Sequence, residues 1–250
     1  MKKIQLILLM LNLVFVVSIK AQDTSRKISL GYDVVIGKTL ELIPKKGDRI
    51  EDFVPKGWTI PSKAKGDLNG DGLNDYALWL SSNLKEGEDS NNGVPGIIAV
   101  LFAESGGKFF LQGVNHHLGS EISSPQNERD FYELKIERGV LIVNLNFGGS
   151  YRKDVTFRFR QDAAAGGNLM LIGFDNRNYC VSCNDLSAKW DMSENYLTGI
   201  RIDTDYKEDK RRDSSTGLMA IDKKRKIQRI SVSFEKARLN FDNLPDLRPF

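Results

Sequence analysis

The chain has 250 residues, of which 40% are hydrophobic and 28% charged, so it can bury a substantial core. Its net charge of +3 comes from 36 Lys and Arg against 33 Asp and Glu. Residues 1–21 hold three lysines and no acid, so residues 22–250 are balanced, which excludes a nucleic-acid role that depends on a strongly basic surface.

The first 21 residues have the pattern of a secretory signal peptide. Lys2 and Lys3 supply positive charge, residues 6–17 form an apolar run broken only by Asn12, and Ala21 offers a cleavage point. An uncleaved N-terminal anchor is the alternative, although the run is short for a membrane span. No cysteine lies near the cleavage point, which argues against a lipoprotein. We therefore expect an exported protein, periplasmic or extracellular, without a stable membrane anchor.

An acidic loop follows, with the sequence KGDLNGDGLNDYALWL over residues 65–80. It places oxygen-bearing side chains at alternating positions, namely Asp67, Asn69, Asp71 and Asp75. Calcium prefers six to eight oxygen ligands, and Gly72 permits a sharp turn that aims the Leu73 carbonyl inward. An EF-hand loop would need Glu where Leu78 stands, and a helix where residues 76–80 indicate a strand. A metal-free turn held by side-chain-to-backbone hydrogen bonds is the alternative.

This loop resembles the calcium loop of FG-GAP/VCBS-type repeats, which share the pattern D-x-[DN]-x-D-G-x-x-D leading directly into a strand. The resemblance covers residues 55–80, including the preceding Pro55-x-Gly57-Trp58, and this chain has one copy of the motif. It implies calcium as a structural cofactor. The implied ligands are the side chains of Asp67, Asn69, Asp71 and Asp75 and the carbonyl of Leu73.

The rest of residues 22–250 predicts one β-rich domain with little helix, built as an antiparallel sandwich or a curved meander. An apolar run at 97–103 and a second at 109–111 flank two glycines and indicate a hairpin. Residues 131–174 indicate a four-stranded antiparallel meander with one packed face. Further strands are expected at 196–203, 227–234 and 236–241. Trp79 is expected in the core.

The only two cysteines, Cys180 and Cys183, have CxxC spacing. In an exported protein this spacing favours a disulfide closing a small loop. A redox-active pair and half of a zinc site are the alternatives, and zinc would need both histidines, His116 and His117, as further ligands. A Ser-His hydrolase would also have to use one of these histidines, with a serine such as Ser120, but no Gly-x-Ser-x-Gly elbow is present.

A short basic run occupies residues 223–226 and is followed by Arg229. We expect it on an exposed turn, and binding of a polyanion or anionic lipid is the alternative.

The sequence therefore favours an exported, calcium-stabilised β-rich module that binds a protein or glycan ligand or acts as a scaffold. It contains no recognisable catalytic set. One alternative is a secreted hydrolase that acts on a glycan or envelope polymer through two carboxylates brought together only by the fold. A CxxC redox or zinc protein is the weaker alternative.

Overall fold

The computed structural model describes residues 36–82, 96–121, 131–180, 190–208 and 218–238. In these residues twelve strands form two antiparallel sheets, which confirms the predicted mainly β fold. Two short helices accompany them, one over residues 36–42 (α1) and one at His116–Glu121 (α2). No helix in the described ranges has both the length and the apolar composition that a membrane crossing requires. The predicted signal peptide lies outside the described residues.

Sheet A has five strands in the spatial order β1-β5-β4-β3-β2. Its strands are β1 Lys46–Gly47, β2 Trp58–Gly66, β3 Asp75–Ser82, β4 Gly96–Ala103 and β5 Phe109–Asn115. Strand β4 is apolar throughout because both of its faces are covered. Ile98 and Val100 belong to the cluster shared with sheet B, whereas Ile97 and Leu101 belong to a second cluster on the other face. The predicted hairpin of β4 and β5 is confirmed.

The far face of sheet A is covered by helix α1 and by a 3₁₀ turn at Ile50–Phe53. Phe53 is fully buried in this layer. A Cβ atom at Gly47 would lie 2.8 Å from the Phe53 ring, so the glycine allows strand β1 to approach it. These segments give sheet A an apolar core on both sides.

Sheet B is a seven-stranded meander whose spatial order follows the chain from β6 to β12. Its strands are β6 Phe131–Glu137, β7 Val140–Gly148, β8 Tyr151–Asp162, β9 Asn168–Cys180, β10 Trp190–Asn195, β11 Ile200–Glu208 and β12 Leu218–Lys226. Strand β8 alternates as predicted, with Val155, Phe157 and Phe159 buried and the residues between them more exposed. The four predicted strands of the meander correspond to β6–β9.

The two sheets pack through their inner faces around one apolar cluster. The ring centroids of Phe157 and Phe174 lie 5.0 Å apart within it. Trp79 is 9% exposed and makes an edge contact with Tyr132 at 5.3 Å, which confirms its predicted place in the core. The opposite face of sheet B carries mostly polar side chains and is called the outer face below.

The chain after β12 returns to sheet A and is held there by Asn115, the last residue of β5. The Asn115 amide nitrogen donates hydrogen bonds to the carbonyls of Phe234 and Ala237. Its amide oxygen accepts a hydrogen bond of 2.6 Å from the backbone N–H of Leu118, in the first turn of α2. Asn115 is fully buried, so one side chain ties sheet A, α2 and the returning segment together.

The predictions for the last part of the chain are wrong in detail. The predicted strand at 196–203 contains a turn at 196–199 between β10 and β11. The predicted strand at 227–234 is irregular apart from an isolated bridge at Ser233 and a 3₁₀ turn at Phe234–Lys236. The described part of the predicted strand at 236–241 contains no strand, and the basic run at 223–226 belongs to β12 rather than to a turn.

Candidate functional site

The acidic loop joins β2 to β3 and is closed by its own hydrogen bonds. The two carboxylate oxygens of Asp67 accept from the N–H groups of Gly70 at 2.7 Å and Gly72 at 2.9 Å. These backbone donors, Gly72 first, hold the pKa of Asp67 below its usual value. Gly70 and Gly72 have φ angles of 80° and 81°, which favour glycine. The sharp turn that the sequence predicted at Gly72 is therefore present.

Asn69 and Asp71 complete this network. The Asp71 carboxylate accepts from the backbone N–H of Leu73 at 2.8 Å and from the Asn69 amide at 2.9 Å. The Asn69 oxygen accepts from the backbone N–H of Asp71 at 3.0 Å. Each of these side-chain oxygens keeps a further lone pair, and Asp71 is exposed. The loop can therefore still offer oxygen ligands to a cation from the solvent side.

Asp75 behaves differently from the other acids of the loop. Its carboxylate is fully buried, and its two oxygens accept from the backbone N–H groups of Leu68 at 2.8 Å and Ala103 at 2.9 Å. Burial raises the pKa of this carboxyl group. Asp75 therefore clamps the start of the loop to the end of β4, and its role as a metal ligand stays a prediction.

The donor set fits a calcium ion in part. No three His, Cys, Asp or Glu side chains within the described ranges are grouped closely enough to hold a metal ion. Because Asp75 is directed inward, the outward carboxylates of the loop are those of Asp67 and Asp71. An ion would also need the amide oxygen of Asn69 and the carbonyl of Leu73, which are both ligand types that calcium accepts.

The histidines and cysteines stand in separate elements. His116 and His117 begin α2 with their rings 3.9 Å apart, and Cys180 ends β9. Cys183 lies outside the described residues, so the disulfide, redox and zinc hypotheses all stay predictions. Ser120 lies in α2, in the same short helix as both histidines.

The outer face of sheet B carries a groove that the sequence did not reveal. Its volume is about 360 Å³. It is lined by Asn144, Leu145, Asp154, Val155, Thr156, Asp175 and Arg177. The register explains its position: Asn144 lies opposite Thr156, Thr156 opposite Asp175, and Asp154 opposite Arg177. Short polar side chains from three adjacent strands thus meet on one face, and the groove lies over them.

The side chains around the groove are held by one another. On one side, the Thr156 hydroxyl donates to the Asn144 oxygen at 2.9 Å, and the Asn144 amide donates to Glu133 at 3.2 Å. An ion pair of 2.7 Å with Lys135 lowers the pKa of Glu133.

On the other side of the groove, Asp175 joins β8 to β10. It pairs with Arg158 at 2.6 Å and accepts from the Ser193 hydroxyl at 2.7 Å. Arg177 pairs with Asp191 at 3.3 Å while its side chain remains 57% exposed. The polar groups at the groove are thus oriented before any ligand arrives, and Arg177 still presents hydrogen-bond donors to solvent.

The inner face of β10 and β11 holds a charged cluster around the buried Glu194. Glu194 accepts from the Tyr196 hydroxyl at 2.5 Å and pairs with Arg201 at 3.2 Å. Arg201 also pairs with Asp203 at 2.6 Å. Burial, and then the hydrogen bond to Glu194, raises the pKa of Tyr196 far above its usual value. Both oxygens of Glu194 are engaged, so this cluster stabilises the β10–β11 hairpin.

Neither a protein-family model, nor a curated protein, nor a solved structure matches this chain. The resemblance of residues 55–80 to FG-GAP/VCBS-type repeats therefore stays a prediction.

Proposed function

We propose that this protein is an exported binding module that holds a polar, hydroxyl-bearing ligand such as a glycan in the groove on the outer face of sheet B. The groove carries the proposal. Its volume of about 360 Å³ lies at the small end of ligand sites, near the size of one or two sugar rings. Five of its seven lining residues carry polar or charged side chains, which favours a ligand that exchanges hydrogen bonds.

The chemistry of the lining supports a ligand that both donates and accepts. Asp154 and Asp175 supply acceptors, Arg177 supplies donors, and Asn144 can supply both. Because these side chains are already held by neighbouring strands, little rotamer freedom is lost on binding. Vicinal hydroxyls of a sugar could replace water at these groups without loss of hydrogen bonds.

Filling the groove should abolish binding. Thr156→Trp places a large side chain at its centre, and we expect at least a tenfold loss of affinity for any glycan that binds the unaltered protein. Binders would be identified on a glycan array and measured by isothermal titration calorimetry. The matched control is Thr204→Trp, the same change on the same face but outside the groove. Absence of any glycan binder, or equal affinity of the two variants, would contradict the proposal.

A hydrolase acting in the same groove is the second candidate, and the positions of two acids favour it. Asp154 and Asp175 lie on adjacent strands at diagonal positions, where the two residues are about 7–8 Å apart and their Cβ atoms somewhat closer. Inverting glycosidases separate their carboxyl groups by roughly 6.5–9.5 Å. Release of nitrophenol from a panel of nitrophenyl glycosides, abolished by Asp154→Asn, would make the groove an active site rather than a binding site.

Calcium bound by Asp67, Asn69, Asp71 and the Leu73 carbonyl would stabilise the loop at the start of β3. With calcium at about a hundred times its dissociation constant, the melting temperature should rise by roughly 5–10 °C over that in excess chelator. Asp71→Ala should remove most of this rise. Scanning calorimetry measures both, and an unchanged melting temperature in chelator would remove calcium from the proposal.

Export and the disulfide can be tested together by mass spectrometry. Expressed with residues 1–21 in a bacterial host, the protein should appear in the periplasm or medium, beginning at Gln22. Its mass should be lower by two hydrogens than that of the reduced chain, because Cys180 and Cys183 pair in an oxidising compartment. Retention of residue 1 would contradict cleavage of the signal peptide. An unchanged mass after reduction would contradict the disulfide.

A further inference from the structure

A basic and apolar surface lies at the β12 edge of sheet B, away from the groove. Strand β12 is the last strand of the sheet, and the basic run at 223–226 is exposed on it. Two members of the run, Lys223 and Arg225, pair with Asp205 and Asp203. Within the described part of the chain, Lys224, Lys226 and Arg229 form no ion pair.

All three cations neighbour the β10–β11 hairpin, two of them through strand pairing and one through a contact at the hairpin tip. Lys224 and Lys226 lie opposite Ile202 and Ile200 of β11 on the outer face. Arg229 packs against Gly199 at the tip of the β10–β11 hairpin, where its Cγ would lie 3.5 Å from a Cβ added to that glycine. The register thus gathers residues from β12 and the following segment around one hairpin tip.

Apolar side chains share this surface. Leu197, in the hairpin turn, is 43% exposed. Ile200 and Ile202 are half-buried, and neither belongs to the two apolar clusters of the described residues. An exposed leucine and half-buried isoleucines beside lysine and arginine side chains suit a surface that lies on an anionic membrane.

We propose that this surface, formed by Leu197, Ile200, Ile202, Lys224, Lys226 and Arg229, docks the protein on the headgroups of an anionic lipid bilayer. Lysines on an edge strand also discourage strand pairing, which would account for Lys224 and Lys226. Protection against strand pairing does not account for Arg229 or for the exposed Leu197. The apolar component favours a bilayer over a soluble polyanion, because only the bilayer offers leucine an apolar environment.

The test is co-sedimentation of the protein with phosphatidylcholine vesicles that contain or lack phosphatidylglycerol. The unaltered protein should sediment only with the anionic vesicles, and high salt should release it. Each cation near an anionic surface strengthens partitioning by about fivefold, so the triple variant Lys224→Gln, Lys226→Gln, Arg229→Gln should bind about a hundredfold more weakly. The matched control, Lys38→Gln, Lys56→Gln, Lys63→Gln, removes the same charge from exposed sites elsewhere and should bind within a few-fold of the unaltered protein.

Leu197→Ser separates a bilayer from a soluble polyanion. It should weaken vesicle binding several-fold while leaving retention on a dextran sulfate column unchanged. All changed positions other than Leu197 are exposed charges, and circular dichroism would verify that each variant is folded. No sedimentation with anionic vesicles, an equal loss in the two triple variants, or vesicle binding insensitive to Leu197→Ser would each overturn the proposal.

Discussion

Replacing Asn115 with alanine should lower the free energy of unfolding by about 3–5 kcal/mol. The change leaves the buried N–H of Leu118 without its acceptor and removes the donor to the carbonyls of Phe234 and Ala237. A buried group that loses its partner costs about 1–3 kcal/mol, and water cannot reach this site because Asn115 is fully buried. Urea denaturation followed by tryptophan fluorescence would measure the loss.

Two further variants make this expectation specific. Asn115→Asp has nearly the same shape but directs a carboxylate at two carbonyl oxygens, so it should be at least as damaging as alanine. Gln112→Ala, on the same strand, removes a single part-buried bond of 2.9 Å to the Gly167 carbonyl and should cost about 1 kcal/mol. A loss in Asn115→Ala no larger than that in Gln112→Ala would mean that the returning segment is held by its apolar contacts alone.

The local sequence predicts the centre of the fold well. Alternation in β8 and the continuous apolar run of β4 follow from whether one or both faces of a strand are covered, and both patterns are visible without a structure. The prediction of a strand at 227–234 was wrong because apolar alternation also occurs in a segment that is not a strand. Its Ile230, Val232 and Phe234 alternate like a strand, but they pack onto the core from an irregular segment.

Strand β12, in contrast, is a strand that its own sequence does not predict. Its residues, LMAIDKKRK, lack an apolar alternation, because Lys223 and Arg225 are balanced by ion pairs to β11 rather than by burial. The groove could not be predicted from the sequence either. Its short side chains come from three strands, and only the register of those strands places Asn144, Thr156 and Asp175 side by side. The sequence of one strand does not show which residues of the neighbouring strands will lie beside it.

The acidic loop was the strongest local signal, and the structure divides its four oxygen-bearing side chains into two kinds. Among the described residues, the side chains of Asp67, Asn69 and Asp71 have their hydrogen-bond partners within the loop, as their spacing suggests. Asp75 also reaches Ala103, 28 residues further along the chain. Its burial depends on β4 lying beside β3, which the loop sequence does not contain.

Asp75→Ala should therefore lower the free energy of unfolding by about 2–4 kcal/mol even when excess chelator is present. The reason is independent of any metal: the N–H groups of Leu68 and Ala103 both lose their acceptor, and the site of the carboxylate is fully buried. The gain from no longer burying a carboxyl group offsets part of this loss. Asp75→Asn keeps one acceptor oxygen and should fall between alanine and the unaltered protein.

Asp71→Ala is the matched control, because it removes an exposed carboxylate from the same loop. Its bond to the Leu73 N–H can be replaced by water, so in chelator the loss of stability should be much smaller than for Asp75→Ala. Calcium separates the role of a metal ligand from that of a clamp. Asp71→Ala should lose the calcium-dependent rise in melting temperature. Asp75→Ala should be destabilised by a similar amount with and without calcium. If the loss in Asp75→Ala appeared only in calcium, Asp75 would be a ligand of the ion and not a clamp between the loop and strand β4.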